Sequence, residues 1–214
     1  MHLEILTPAQ IAVLEELTRL PALASFYLAG GTALALRHGH RRSIDFDFFR
    51  ADAFDGFALR TTLDTFPRTI EWMPSGEHTL HLRIDHVDVS FFRYPYPLLM
   101  PTEPTRWGFG LASDQDIAAM KLEAVAGRGS RKDFVDLRLL CGTGMDLEQV
   151  FTLFERKYGT QRTDRYHRLR ALTFFDDAEQ QPMPYMLLPH DWEETTAYFR
   201  AEVQRLLAAG LASP

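Results

Sequence analysis

The sequence has 214 residues, of which 46% are hydrophobic and 24% charged, and its formal net charge is −6. This composition suffices for one large domain or two small ones, and the net acidity argues against a surface covered with basic residues for nucleic acid. The single cysteine, Cys141, excludes an internal disulfide. Because no apolar run reaches about 18 residues and no secretion signal is apparent, we expect a cytoplasmic protein without a membrane span.

The charge is unevenly distributed along the chain. Residues 121–170 contain 11 Lys and Arg and 7 Asp and Glu, whereas the rest of the chain is net acidic. A basic region beside an acidic one suits a site that holds polyphosphate or RNA against metal-binding carboxylates. An ordinary solvated helical surface gives the same pattern, and charge alone favours this second interpretation.

Sequence signals in the first fifty residues predict a helix, a strand, a second helix and a second strand. The helix begins at Thr7-Pro8-Ala9-Gln10, which combines a threonine cap, a proline in the first turn and a capping-box glutamine. The apolar segment 26–29 predicts a buried strand, which ends at Gly30-Gly31 before a helix that opens at Thr32. The alternating segment 44–49 predicts the second strand.

The remaining segments predict an α+β fold with a helical C-terminal half. We expect a helix over 57–66 and further strands between residues 69 and 92, followed by a proline-rich connector. Helices are then predicted from the following ranges: 113–126, 132–140, 146–158, 164–177 and 191–209. We therefore divide the chain into a small mixed β-sheet with flanking helices, residues 1–105, and a helical half, residues 106–214.

Asp45-Phe46-Asp47 is the strongest local feature of the sequence. Side chains two positions apart on a strand point to the same face, so both carboxylates lie side by side while Phe46 is buried on the other face. Adjacent carboxylates repel each other unless a cation neutralises them, and Mg²⁺ prefers carboxylate and phosphate oxygens. An isolated Asp-x-Asp is, however, more often simply solvated.

The Gly30-Gly31-Thr32 turn strengthens the metal-site interpretation. Glycines let the backbone approach a ligand closely, and the N-terminus of the following helix presents N–H groups to phosphate. The Thr32 hydroxyl adds a possible hydrogen bond, although a plain strand-to-helix turn explains the same residues. Neither the Rossmann fingerprint nor the P-loop motif is present.

A Gly-Gly turn followed one helix later by Asp-x-Asp resembles the polymerase-β-like nucleotidyltransferase superfamily. The segments Phe26–Leu34 and Gly39–Phe49, together with Asp116–Leu122 and Gly127–Leu137, resemble the AbiEii/AbiGii toxin family over roughly residues 5–200. This resemblance implies a nucleotidyltransferase toxin that moves a nucleoside monophosphate from an NTP to an acceptor hydroxyl, tRNA in some members. It also implies two Mg²⁺ ions and a cognate antitoxin.

The resemblance also implies roles for individual residues. Asp45 and Asp47 hold the metal, and Gly30, Gly31 and Thr32 hold the triphosphate. A third carboxylate on a later strand binds metal and deprotonates the acceptor. We assign this position to Asp88, although it corresponds equally to Ser90, and Asp85 is a weaker candidate.

In the helical half, the resemblance implies that Lys121 and Arg128 contact the NTP, which lies in a cleft that this half closes. From the sequence, Lys121 lies on an apolar helical face with few local partners. Asp133 and Asp136 share a face of the next helix and orient Lys121 or Arg128. The family resemblance implies an arginine before Asp133, and this sequence has Lys132 there. Lysine keeps the positive charge but cannot make the bidentate contact of arginine.

Several alternatives stay open. The pairs His38/His40 and His78/His81 lack further ligands at zinc spacing, so we interpret them as ordinary polar residues. We interpret Cys141 as a helix residue that is not a nucleophile.

A transferase acting on a small hydroxylated molecule also fits the Gly-Gly-Thr and Asp-x-Asp motifs. A non-catalytic interaction protein with a decayed site fits them too, if the third carboxylate is missing.

Overall fold

The computed structural model describes residues 1–159 and 164–210, and the chain forms two compact units, Met1–Ser113 and a second that begins at Asp114. The sequence predicts this division after residue 105. The structural division follows Ser113 because two short strands join the first unit's sheet: β6, Glu103–Pro104, at the end of the proline-rich connector, and β7, Gly110–Leu111, after it.

The N-terminal unit is built on a seven-stranded mixed sheet with the order β3-β4-β5-β2-β1-β7-β6. The other five strands are β1 (Tyr27–Ala29), β2 (Asp45–Arg50), β3 (Ile70–Trp72), β4 (Thr79–Ile84) and β5 (Val87–Arg93). Strand β2 lies at the centre, antiparallel to β1 and parallel to β5. The mixed sheet and the helical second unit confirm the predicted α+β fold.

Helices α1 (Pro8–Leu17), α2 (Gly30–His38) and α3 (Gly56–Leu63) belong to the same unit, with short 3-10 helices at Leu3–Ile5 and Pro21–Ser25. The predicted capping box is present, because Thr7 accepts from the Gln10 amide and the Gln10 side chain accepts from the Thr7 amide. The Gln10 Nε2 group also donates to the Ser43 carbonyl at 2.8 Å. The cap of α1 is therefore joined to the segment that leads into β2.

The second unit is helical in its described residues, with α4 (Asp114–Arg128), α5 (Arg131–Gly142), α6 (Leu147–Tyr158), α7 (Arg165–Ala171), α8 (Asp176–Glu179) and α9 (Trp192–Ala208). The single helix predicted over 164–177 is wrong, because α7 and α8 are separate there. Leu172 and Phe175 are both buried in the break, and the Thr173 hydroxyl donates to the Arg170 carbonyl at 2.9 Å. Side-chain burial and this local cap therefore favour a turn over continued helix.

The core of the second unit is aromatic, and it includes a buried ion pair. Phe134 packs edge-on against Phe199 at a ring-centroid distance of 5.7 Å. Lys157 on α6 and Asp116 on α4 lie 2.6 Å apart, both fully buried, so this pair ties the two helices together. Across the described ranges, no helix combines the length and apolar character needed to cross a membrane.

Candidate active site

Asp45 and Asp47 lie on the same face of β2, as the alternating pattern predicts. Both are half-buried, whereas Phe46 and Phe48 on the opposite face are completely buried. Phe48 stacks on Phe91 of the neighbouring strand β5 at 5.3 Å. Burial of the aromatic face thus fixes which way β2 faces, and this orientation holds the two carboxylates together on the polar side.

The strands on either side of β2 determine which residues lie beside the two carboxylates. Ala29, the last residue of β1, is the partner of Asp47 in the antiparallel ladder. On the other side, Asp45 is the partner of Asp88 and Asp47 is the partner of Ser90. Asp47 therefore lies between the end of β1 and Ser90.

The turn from β1 into α2 lies against Asp47. Gly30 has a left-handed backbone with φ of 69°, and a Cβ atom added there would lie 3.2 Å from the Asp47 Oδ2 atom. Helix α2 begins at Gly30 without a side-chain cap, so the N–H groups of its first turn are of the type that binds phosphate. The geometry brings the first turn of α2 and the carboxylate pair together at the same end of the two interior strands β1 and β2.

Thr32 and Gly31 have structural contacts that the sequence did not reveal. The buried Thr32 hydroxyl donates to the Asp45 carbonyl, so it ties the first turn of α2 to β2. The possible hydrogen bond from this hydroxyl to a ligand stays a prediction, because in this structure the hydroxyl binds β2. A Cβ atom on Gly31 would overlap the guanidinium of Arg41, which is itself buried.

Arg41 is a site-adjacent residue that the sequence analysis missed. It occurs in the polar run His38-Gly39-His40-Arg41-Arg42, which is typical of a polar turn between a helix and a strand. In the structure its Nη1 group donates to the Arg42 carbonyl at 2.9 Å. The glycine at position 31 was the available signal, because it leaves the space that this guanidinium occupies.

The proposed third carboxylate, Asp88, lies on the same face of the sheet as Asp45. Its Oδ1 atom accepts from the Arg83 Nε group at 2.8 Å. Ser90, the alternative position, has its hydroxyl 3.0 Å from the His81 Nδ1 atom. Asp85 accepts from Arg68 at 3.0 Å and from the Thr69 amide at 3.1 Å. These bonds join the turn between β4 and β5 to the segment that leads into β3.

Clustering of metal-binding side chains is limited in this structure. Within residues 1–159 and 164–210, no group of three His, Cys, Asp or Glu side chains is arranged to hold a metal ion. The donor set beside the α2 turn is therefore the pair Asp45 and Asp47, and the metal-binding role of Asp88 stays a prediction.

In the helical unit, Lys121 has strong partners, and they lie on the neighbouring helix α5 rather than on its own helix α4. The side chain is 5% exposed, and its Nζ atom lies 2.8 Å from Asp133 and 2.6 Å from Asp136, both of which are fully buried. The partners come from α5, which the spacing within α4 does not reveal. The predicted contact of Lys121 with NTP stays a prediction.

Asp133 is the centre of this buried cluster. It accepts from the Arg128 Nε group at 2.7 Å and from the Ser130 hydroxyl, in addition to Lys121. Burial alone would raise the pKa of the Asp133 carboxyl, but the charge of Lys121 and the hydrogen bonds and charge of Arg128 outweigh it and hold that pKa well below its ordinary value. The predicted orientation of Lys121 and Arg128 by Asp133 fits this geometry.

Cys141 has the environment of an unreactive residue. Burial raises the pKa of its thiol to about 11, against a smaller opposing effect of its hydrogen bond with Tyr198. A thiol with a raised pKa is a weak nucleophile at neutral pH, in agreement with the sequence interpretation.

Comparison with known proteins identifies the family. Residues 12–209 match the family described as the nucleotidyl transferase AbiEii toxin of a type IV toxin–antitoxin system. An uncharacterized protein of Aquifex aeolicus (strain VF5) is 39% identical over 202 residues, which cover 92% of this chain and 96% of that protein.

Two solved structures share the fold. MenT4, a nucleotidyltransferase toxin from Mycobacterium tuberculosis H37Rv, has a TM-score of 0.65 and 19% identity over 92% of this chain and 82% of its own. JHP933 from Helicobacter pylori has a TM-score of 0.50 and 17% identity over 97% of this chain and 91% of its own. The fold and the match over residues 12–209 agree with the sequence resemblance, and the chain belongs to the AbiEii nucleotidyltransferase toxin family.

Proposed function

We propose that this chain transfers a nucleoside monophosphate from an NTP to an acceptor hydroxyl, using Asp45 and Asp47 as magnesium ligands. The observation that carries the proposal is the position of Asp47, whose carboxylate lies beside the Gly30 backbone at the start of α2. A triphosphate bound at the first turn of α2 would thus meet the ion held by the two carboxylates.

The carboxylate pair fits the chemistry of Mg²⁺. This ion is commonly bound through one or two carboxylates, while water and substrate phosphates fill its other positions. Asp45 and Asp47 form such a pair on one face of β2, and a second ion, as the family resemblance implies, would share them. When bound, Mg²⁺ would neutralise charge on the phosphates and on the leaving group.

The chain's own residues would bind and orient the reactants. Backbone N–H groups from Gly30 to Thr32 would hold the phosphates. Lys121 is buried between Asp133 and Asp136 and takes no part in the proposed steps. Asp88 would accept the proton of the acceptor hydroxyl. The acceptor oxygen then forms a bond to the α-phosphorus, the bond from the α-phosphorus to the bridging oxygen breaks, and pyrophosphate leaves.

We further propose that the acceptor is tRNA and that an antitoxin controls the activity. The family description, which places its members in type IV toxin–antitoxin systems, supports the second point. The excess of basic residues between Lys121 and Arg170 supports the first, because a phosphate backbone is bound chiefly by Lys and Arg.

Incubation of the purified protein with labelled NTPs and total RNA, with and without Mg²⁺, tests the proposal. We expect label in small RNA only with Mg²⁺, and loss of labelling in Asp45→Asn and Asp47→Asn. Asp52→Asn is the matched control, because Asp52 is an exposed aspartate of the same unit. Labelling that persists in the two site variants would exclude the carboxylate pair from catalysis, and label in a small molecule would favour a different acceptor.

A further inference from the structure

The helical unit contains a cavity of about 550 Å³ between the end of α4 and the segment that joins α7 to α8. This volume falls within the range of about 300–1,000 Å³ typical of ligand sites. Exposed residues from both sides line it, including Gly127 and Arg170, so the cavity opens to solvent. A Cβ atom added to Gly127 would meet no atom within 4 Å, which leaves room for a ligand on that side.

Positive charge converges on this cavity from two helices. Arg128 at the end of α4 and Arg170 on the last turn of α7 both line it, together with His167. The Arg128 side chain is 60% exposed although two of its nitrogens bind Asp133 at 2.7 and 2.9 Å. The buried carboxylate thus fixes the guanidinium in place while part of it faces the solvent, which suits recognition of a phosphate group.

An exposed aromatic ring completes the lining. Phe174 lies in the break between α7 and α8 and is 53% exposed, whereas its neighbour Phe175 is buried. An exposed phenyl ring beside arginines is the combination by which proteins bind unpaired nucleotides, the base stacking on the ring and the phosphate meeting the cation.

We infer that this cavity binds one unpaired nucleotide of an RNA strand, with its base on Phe174 and its phosphodiester at Arg170 and Arg128. The inference deepens the proposed function, on which its assignment to the acceptor RNA rests. Asp177 also lines the cavity, and its carboxylate disfavours the concentrated charge of a free triphosphate more than the single charge of a phosphodiester. The open side lets the strand continue beyond the bound nucleotide.

Fluorescence anisotropy with a short labelled single-stranded RNA, without NTP, tests the site. We expect Phe174→Leu to bind about 5- to 150-fold more weakly, the range that corresponds to one lost stacking contact. We expect Arg170→Gln to weaken binding and to reduce the slope of log K against log salt by about 1. Arg156→Gln is the matched control, because Arg156 is an exposed arginine of the same unit that does not line the cavity.

The inference would be overturned if Phe174→Leu bound the RNA with wild-type affinity, or if an RNA duplex of the same sequence bound equally well. Displacement of the RNA by free NTP, at concentrations near the Kd of the NTP, would also overturn it. Thermal melting separates misfolding from lost contacts, and the exposure of Phe174 predicts an unchanged Tm. The exposed Asp52→Asn variant should bind RNA normally. If wild-type protein transfers nothing but Phe174→Leu loses RNA binding, the proposed function fails while the RNA site is upheld.

Discussion

Ser90, rather than Asp88, lies opposite Asp47 in the parallel ladder between β2 and β5. Neighbouring strands are about 4.8 Å apart, so Ser90 is the β5 residue beside the second metal-binding candidate, and Asp88 is beside the first, Asp45. Asp88 is in addition held by Arg83 at 2.8 Å. The third carboxylate of the proposed mechanism is therefore displaced by two residues along β5 from the position beside Asp47.

The role of Asp88 as general base is tested by Asp88→Asn. We expect turnover to fall about 10²- to 10⁴-fold, the usual effect of removing a general base. Because the Asp88–Arg83 pair is more than a third exposed, its loss should change the unfolding free energy little. Turnover and urea unfolding are measured together, and unchanged turnover would remove Asp88 from the reaction and leave Ser90 as the residue to vary.

Gly30→Ala tests whether the backbone of the α2 turn is fixed by its contact with Asp47. Alanine at a φ of 69° is strained by about 1–2 kcal/mol, and the new methyl group would lie 3.2 Å from the Asp47 carboxylate. We expect lower stability and reduced transfer. Gly56→Ala is the control, because its Cβ would only reach van der Waals distance. Equal unfolding free energies for the two variants would contradict this account.

Lys121→Met tests the buried cluster of the helical unit. Methionine fills the apolar space but leaves Asp133 and Asp136 without the ammonium that lies within 2.8 Å of both. Breaking a buried ion pair on one side costs about 3–5 kcal/mol, so we expect a clearly lower Tm in the absence of ligand. A Tm equal to that of the wild type would show that the cluster contributes little to folding.

Local patterns in the sequence were sufficient to predict the parts of the site that depend on a few neighbouring residues. The alternation in Asp45-Phe46-Asp47 determined which side chains share a face, and Gly30-Gly31 marked the strand-to-helix turn. The Thr7 cap was equally readable, because all of its partners lie within one helical turn.

Features that depend on distant partners were not predictable in this way. Alternation places Asp88 and Ser90 on the same face, but only the pairing of β2 with β5 decides which one meets Asp47. Likewise, the spacing within α4 shows that Lys121 lies among apolar residues and does not show that α5 supplies two carboxylates. The burial of Arg41 against Gly31 has the same origin in tertiary packing.

The acid stability of the helical unit should depend on Asp133. Lys121 and Arg128 hold the pKa of its carboxyl below the ordinary value despite the opposing effect of burial. The unfolded state, with an aspartate pKa of about 3.9, therefore binds protons at a higher pH than the folded state does. The stabilisation by Asp133 is complete above about pH 5 and is lost as the pH falls through the unfolded pKa towards the lower folded one.

Asp133→Asn tests this dependence, because asparagine cannot titrate and leaves Lys121 and Arg128 without their shared carboxylate. We expect a variant that is less stable than the wild type at neutral pH and whose unfolding free energy falls less steeply below about pH 4. Urea unfolding at a series of pH values measures both effects, and the difference between the two curves isolates this carboxyl from all others. The exposed Asp52→Asn variant should follow the wild-type curve, and parallel curves for the wild type and Asp133→Asn would show that another group is responsible for acid unfolding.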